Sequence, residues 1–394
     1  MHRLLSGLLM IVLVGCASAP AQEQSLWGRV HTLAETEQSH APAIWVQPEG
    51  SLTAAWIGAD EIGVHQDART VLGSAVGDTI TLPLPPVHPT AQQLLPARDG
   101  KLHLLWQDAN ANREMRLYAA LLTPELMVER GPTVISDQLT LRYAAVAQPN
   151  GQILTVWSGG LPAEPALYLQ RIDERGLPRA PVLLARDADW PALAQSNDGS
   201  LYIFWRQSSD GRFSGGQLQG DQIIRDEGGL PSLEQDDRLH QMDIGLDATH
   251  LYLFWNLTRA AGDNQTWMIS RPLDASGWSS PNLVGVGEAQ ENTLQTGLNT
   301  GTVASAQAGD LRLTWAAPMP GQFEVLPVAG RLGDDLAVVY FQAGAITGYQ
   351  RVAPVQTLIG PPALLPDRDR YLYLAWAEPQ ESGRAALKLT SSRG

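Results

Sequence analysis

The chain has 394 residues and a net charge of −14, with 41 acidic side chains against 27 basic ones. An acidic surface repels nucleic acid and anionic lipid, so neither is expected as a direct partner. Cys16 is the only cysteine, which excludes an internal disulfide and leaves the fold to stand on its apolar core. Gly, Pro and Trp are spread evenly with no linker-like stretch. This argues for one domain, where the length alone would allow two or three.

The N-terminus reads as an export signal. Met1-His2-Arg3 is a short positive start, and Leu4 to Val14 is an apolar run of eleven residues interrupted only by Ser6 and Gly7. Such a run is too short to span a bilayer as a mature helix but suits the hydrophobic part of a signal peptide. It ends in Leu13-Val14-Gly15-Cys16, which resembles the bacterial lipobox. That resemblance implies cleavage before Cys16, acylation of Cys16, and anchoring to the cell membrane or outer membrane of a bacterium. Two or three acyl chains, at about 0.8 kcal/mol per buried methylene, anchor a protein durably. The expected organisation is a lipoprotein signal peptide over 1–15, a lipidated Cys16 with its tether over 16–24, and one domain over 25–394. An ordinary signal peptide cut near Ala19 or Ala21, discarding Cys16, is the alternative.

The domain is repetitive. Seven segments share a turn position, an aliphatic residue two places on, and a Trp at the end of an apolar run: Gly50–Trp56, Gly100–Trp106, Gly151–Trp157, Gly199–Trp205, Thr249–Trp255, Gly309–Trp315 and Arg370–Trp376. The Trp residues are separated by 50, 51, 48, 50, 60 and 61 positions. Apolar residues precede each turn, and the turns carry Asp99-Gly100, Asn150-Gly151 and Asp198-Gly199, dipeptides that suit tight hairpins. The run after the turn is apolar at nearly every position, as in a strand buried on both faces. Two further strand-like segments follow, for example Arg116–Leu122 and Pro132–Ser136. Four strands in about 50 residues make a propeller blade.

The fold class is therefore all-β, a seven-bladed β-propeller with four-stranded antiparallel blades. The last unit, Pro361 to Arg393, has room for three strands, and Ser25–Leu33 resembles the missing fourth. The N-terminal strand is expected to complete the C-terminal blade and close the ring, which removes an exposed sheet edge. Residues 316–360 are read as an enlarged sixth blade, in which Leu336–Phe341 is an outer strand or a Trp-less blade start.

The repeat resembles those of the sialidase-like propeller superfamily over residues 25–394. The family's Asp-box has Ser-x-Asp-x-Gly-x-x-Trp. Here Ser196-Asn197-Asp198-Gly199 sets Asp and Gly side by side, with Trp205 six residues past the Gly, and Ser208–Gly211 departs in the same way. The resemblance implies the fold, while the departure counts against sialidase chemistry.

In propellers the loops leading into the innermost strand and those leaving the second strand share one face, around the mouth of the channel. The residues placed there are His40, His88, Arg142, Trp190 and His240 before innermost strands, and Gln107, Asp108, Ser158, Arg206, Asn256 and Glu378 after the repeat Trp. Together they form a polar and aromatic rim suited to ligand binding. The ligand-binding candidates are Arg142, Trp190, Arg206, His240, Asn256, His40 and His88. Read as ordinary solvated loop residues, they do nothing. His40, His88 and His240 lack the spacing of a zinc motif, and no nucleophile elbow or phosphate loop occurs, so neither metal nor cofactor is expected. Two functions remain. One is a non-catalytic envelope module holding carbohydrate, peptide or protein. The other is a secreted sialidase-like glycosidase, which needs two carboxylates roughly 5–10 Å apart; Asp108, Asp189, Asp243 and Glu378 are the available acids.

Overall fold

The computed structural model describes residues 27–393 except Ser39, Pro48, Glu49, Ile62, Ser74, Pro162, Glu227, Gln235 and Ala261. The lipobox, Cys16 and the tether lie outside the described residues. The remainder is an all-β propeller of antiparallel sheets.

Each blade starts at the channel and steps outward. In blade two the order from inside to outside is Thr90–Pro96, Leu102–Ala109, Met115–Leu122 and Val128–Val134. Blade three runs Thr140–Ala147, Ile153–Leu161, Glu164–Ile172 and Val182–Arg186. Blade four begins with Ala188–Gln195 and Leu201–Gln207, and blade five with Arg238–Leu246 and His250–Thr258. Blade one, beginning with Ala43–Val46 and Leu52–Asp60, adds a short fifth strand, Ile80–Leu82, on its third. The hairpin turns have the expected geometry: Gly151 and Gly199 take φ of 79° and 87°, where a side chain is disfavoured.

The ring closes through the N-terminus. His31–Thr36 pairs antiparallel with Ala385–Ser391 as the outer strand of a blade whose inner strands are Ala363–Pro366 and Leu372–Pro379. The strand begins at His31, later than the expected Ser25. The preceding turn is held by Gly28 N–H on the Ser391 carbonyl at 2.7 Å and by Thr390 Oγ1 on the Gly28 carbonyl at 2.9 Å.

The expectation of seven four-stranded blades is corrected: six blades are present, blades one to five and the closing blade, and five of these are four-stranded. The segment between blade five and the closing blade forms one sheet of seven strands. Its innermost long strand is Leu311–Pro318, followed outward by Leu326–Leu332, Asp335–Gln342 and Ala345–Pro354. Short strands from residues 285–305 pair with both flanks of this set. The sixth segment of the repeat, Gly309–Trp315, is therefore an innermost strand, and the second strand of this sheet carries no Trp.

Trp burial follows the same division. Trp56, Trp106, Trp157, Trp205, Trp255 and Trp376, each on the second strand of a blade, are at most 3% exposed. They belong to the apolar clusters that fill the gaps between neighbouring sheets. Such aromatic rings bring large apolar area to a gap between two pleated faces. Trp315 is only half-buried. Between blade five and the wide sheet the gap is filled instead by Tyr252, Phe254, Leu313, Leu326 and Phe341.

Candidate binding site at the channel mouth

The innermost strands lie side by side around the channel. Leu246 of blade five bridges in parallel to Gln322, just past the innermost strand of the wide sheet, and Gln93 donates to the Ala145 carbonyl at 3.0 Å. At the mouth, several of these strands slip register. The breaks fall at Thr90/Gln93, Thr140/Arg142, Asp189/Ala192, Leu239/Gln241 and Thr314/Ala317. An extra residue at such a bulge turns a side chain out of the sheet. At three bulges it takes the left-handed conformation: Ala91 at φ 51°, Trp190 at 54° and Trp315 at 56°. For a residue as bulky as Trp this backbone is strained, on the order of 1–3 kcal/mol, and persists only where the surroundings enforce it.

The residues after the repeat Trp form braces between blades. Gln107 Nε2 donates to the Thr140 carbonyl at 3.1 Å, and Ser158 Oγ to Asp189 Oδ1 at 2.8 Å. Asn256 Nδ2 donates to the Ala316 carbonyl at 2.9 Å, while its Oδ1 accepts the Ala316 N–H at 3.1 Å and the Thr266 hydroxyl at 2.5 Å. The Asn256 amide is thus buried and fully engaged, so it is part of the scaffold behind the rim. Tyr143 holds the strained stretch of blade two by donating to the Ala91 carbonyl, and burial raises its pKa.

The other rim candidates fall into two groups. In the first, the exposed Arg142 guanidinium lies 4.4 Å from the centre of the Trp190 ring. Asp189 accepts the Trp190 N–H at 2.7 Å and stands 4.0 Å from Arg206, whose Nε is buried without a partner among the described residues. In the second, the His240 ring lies 5.5 Å from the Trp315 ring, and His240 Nε2 is 2.6 Å from Thr258 Oγ1. Burial, with Arg238 nearby, lowers the His240 pKa and keeps the ring neutral at pH 7. His40 sits 3.2 Å from Thr90 Oγ1, beside the bulge that carries Ala91 in place of a Trp. His88 is exposed, with its backbone N–H on Asp108 Oδ1 at 2.6 Å. The three His therefore lie at different blades.

The four acids are each engaged within the fold. Asp108 also accepts the Val87 N–H, Asp189 is bound as above, and Glu378 takes Trp376 Nε1 at 2.6 Å and Lys388 Nζ at 2.5 Å. Asp243, on the innermost strand of blade five, accepts from Gln241 and is half-buried, its carboxyl packed closely by protein. That burial pushes its pKa up to about 7. Beside Trp315 a cleft of about 500 Å³ opens between blade five and the wide sheet, with Asn264, Arg312 and Arg331 among its walls. Arg312, Arg331 and the place of the half-buried Trp315 in a cleft were hidden in the sequence, because Trp315 ends a segment that looks like a blade's second strand. The separations of 60 and 61 on either side of it were the available signal.

No protein-family model and no curated protein matches this sequence. Among solved structures, the polysaccharide lyase Uly1 superposes with a TM-score of 0.55 at 10% identity, covering 95% of this chain and 93% of that one. A protein of unknown function from Dyadobacter fermentans gives 0.47 at 10% identity over 92% and 98% of the two chains. A thermostable family-43 glycoside hydrolase gives 0.39 at 9% identity over 63% and 95%. At these identities the likeness to Uly1 is one of fold: this chain is an all-β propeller.

Proposed function

We propose that the protein is a binding module of the bacterial cell envelope, lipid-anchored through Cys16, whose propeller holds a hydroxyl-rich or anionic saccharide at the channel mouth. The observation that carries the reading is Arg142 stacked 4.4 Å over Trp190, on a backbone strained to turn that indole out of its sheet. A flat aromatic face beside a guanidinium suits a sugar ring, through apolar contact and charge-assisted hydrogen bonds. The engagement of Asp108, Asp189 and Glu378 inside the fold favours binding over hydrolysis. A glycan array probed with the protein tests the reading: saccharide ligands are expected, and peptide or protein ligands alone would overturn it. Loss of membrane partition in Cys16→Ser is the expected result for the anchor, and unchanged partition would count against it.

One observation favours a second reading, a glycoside hydrolase. An Asp243 carboxyl held to about 7 retains a proton near neutral pH, as a general acid requires. Hydrolysis of chromogenic glycosides that disappears in Asp243→Asn is the outcome this reading demands.

A further inference from the structure

We infer that the cleft beside Trp315 is a second saccharide site, built for a sugar that carries a carboxylate or sulfate group. The inference rests on the reading of Arg142 and Trp190 as a saccharide platform, because the two places are built alike. Trp190 and Trp315 are both bulge residues of innermost strands, at φ 54° and 56°. Each faces a basic-type side chain from the bulge of the preceding blade, Arg142 in one case and His240 in the other. Behind each Trp, a brace from the preceding blade fixes the strand: Ser158 on Asp189 in one case, Asn256 on Ala316 in the other. Blade five lies between the two Trp residues around the ring, so a polymer rather than a single sugar would use both.

The surroundings differ in charge. Near Trp190, Arg206 is balanced by Asp189. The Trp315 cleft contains Arg312 and Arg331 against the single acid Asp263, one net positive charge on a protein of net −14. Among the described residues, neither guanidinium has a close carboxylate partner. Arg331 reaches Asp334 at 3.4 Å, and its Nε is buried with no acceptor among the described residues. Arg312 donates to the Gly309 carbonyl at 3.2 Å and reaches the fully exposed Asp310 at 3.8 Å. Ion pairs this open to solvent hold a side chain weakly, so a bidentate anion beside the indole could take both guanidiniums from them.

The test is calorimetric titration of the full chain in detergent with three probes of matched length: polygalacturonate, dextran sulfate and neutral dextran. Trp315→Gly, Arg331→Gln and Trp190→Gly are compared with the unaltered protein, with melting temperatures alongside. The expected result is that Trp315→Gly and Arg331→Gln each weaken an acidic probe by about tenfold or more, the scale of one lost charge-assisted contact. Neutral dextran binding and melting temperature stay unchanged in both. Binding of polygalacturonate alone or of dextran sulfate alone assigns the site to carboxylate or to sulfate. If both variants bind the acidic probes as the unaltered protein does, or lose binding only in step with melting temperature, the second site is overturned. If Trp190→Gly leaves all binding unchanged, or the unaltered protein binds none of the probes, the saccharide reading itself fails, and the second site with it.

Discussion

Trp190 and Trp315 occupy the same point of two different sheets. Each is the extra residue of a bulge at the mouth end of an innermost strand, and their φ angles, 54° and 56°, agree within two degrees. The six buried Trp residues on second strands do a different job, filling gaps between sheets. One residue type thus serves two purposes, and stability separates them.

Glycine is at ease in the left-handed conformation, so Trp190→Gly and Trp315→Gly release strain while losing a half-buried ring. The two effects are of similar size, and the net change is expected to be within about 1 kcal/mol in either direction. Trp157→Ala, which empties a fully buried site, is expected to cost about 3–5 kcal/mol. Urea denaturation of the three variants checks this. A loss at Trp190 or Trp315 comparable to that at Trp157 would make the rim indoles core residues.

Asn256 is expected to matter for stability alone. Asn256→Ala leaves the Ala316 N–H and carbonyl and the Thr266 hydroxyl without their buried partner. At roughly 1–3 kcal/mol for a buried group left unpaired, a total loss of about 2–4 kcal/mol follows. Saccharide affinity at the Trp190 platform should stay within about twofold of the unaltered protein, since lost hydrogen bonds behind the rim remove no ligand contact. Reduced affinity with unchanged stability would put Asn256 in contact with ligand.

Trp315 and Asn256 mark the limit of what the sequence discloses. The turn dipeptides, the continuous apolar runs and the spacing near 50 make blades one to five and the closing strand legible, because each is a local pattern with one structural solution. The wide sheet was legible in part: an enlarged unit with Leu336–Phe341 as an outer strand could be read, but not the innermost place of Leu311–Pro318. Leu311–Leu313–Trp315 has the alternation of an ordinary blade strand, and only packing decides that it lies innermost. The rim was half legible: Arg142, Trp190 and Arg206 do gather, but Asn256 turns inward because the backbone of the next sheet comes within hydrogen-bond reach. A bulge costs one residue and leaves no local signature, so the turn of Trp315 toward solvent could not be read in advance.

Ring closure is tested by removing residues 27–36. Their loss exposes the edge of Ala385–Ser391 and withdraws the buried Leu33 from the cluster shared by the closing blade and blade one. The whole domain is expected to melt in one transition at least about 5 °C lower, the shift for a few kcal/mol in a protein of this size. Unchanged melting followed by calorimetry would show that the strand adds nothing to closure.

His103 gives the fold an acid sensitivity. It is fully buried on the second strand of blade two, and neither ring nitrogen makes a well-formed hydrogen bond. Burial lowers its pKa below 6.5, outweighing the Gly151 backbone and Asp173. The unfolded chain then binds a proton that the folded chain resists. The His103 contribution to stability is therefore intact above pH 6.5 and is lost as pH falls from there through the folded-state pKa. His103→Leu should flatten the loss of stability between pH 7 and pH 5, read as the difference between the two denaturation curves. Parallel curves would show that His103 does not titrate with unfolding.

The central claim, that Arg142 and Trp190 form the saccharide platform, is tested most directly by the affinity of Arg142→Ala for whichever glycan the array identifies. The Arg142 guanidinium is exposed, and its one polar contact among the described residues is with the Leu141 carbonyl at 2.6 Å. Its loss should therefore weaken binding by about tenfold or more, the scale of a charge-assisted hydrogen bond, while the melting temperature stays unchanged. Affinity equal to that of the unaltered protein would contradict the claim.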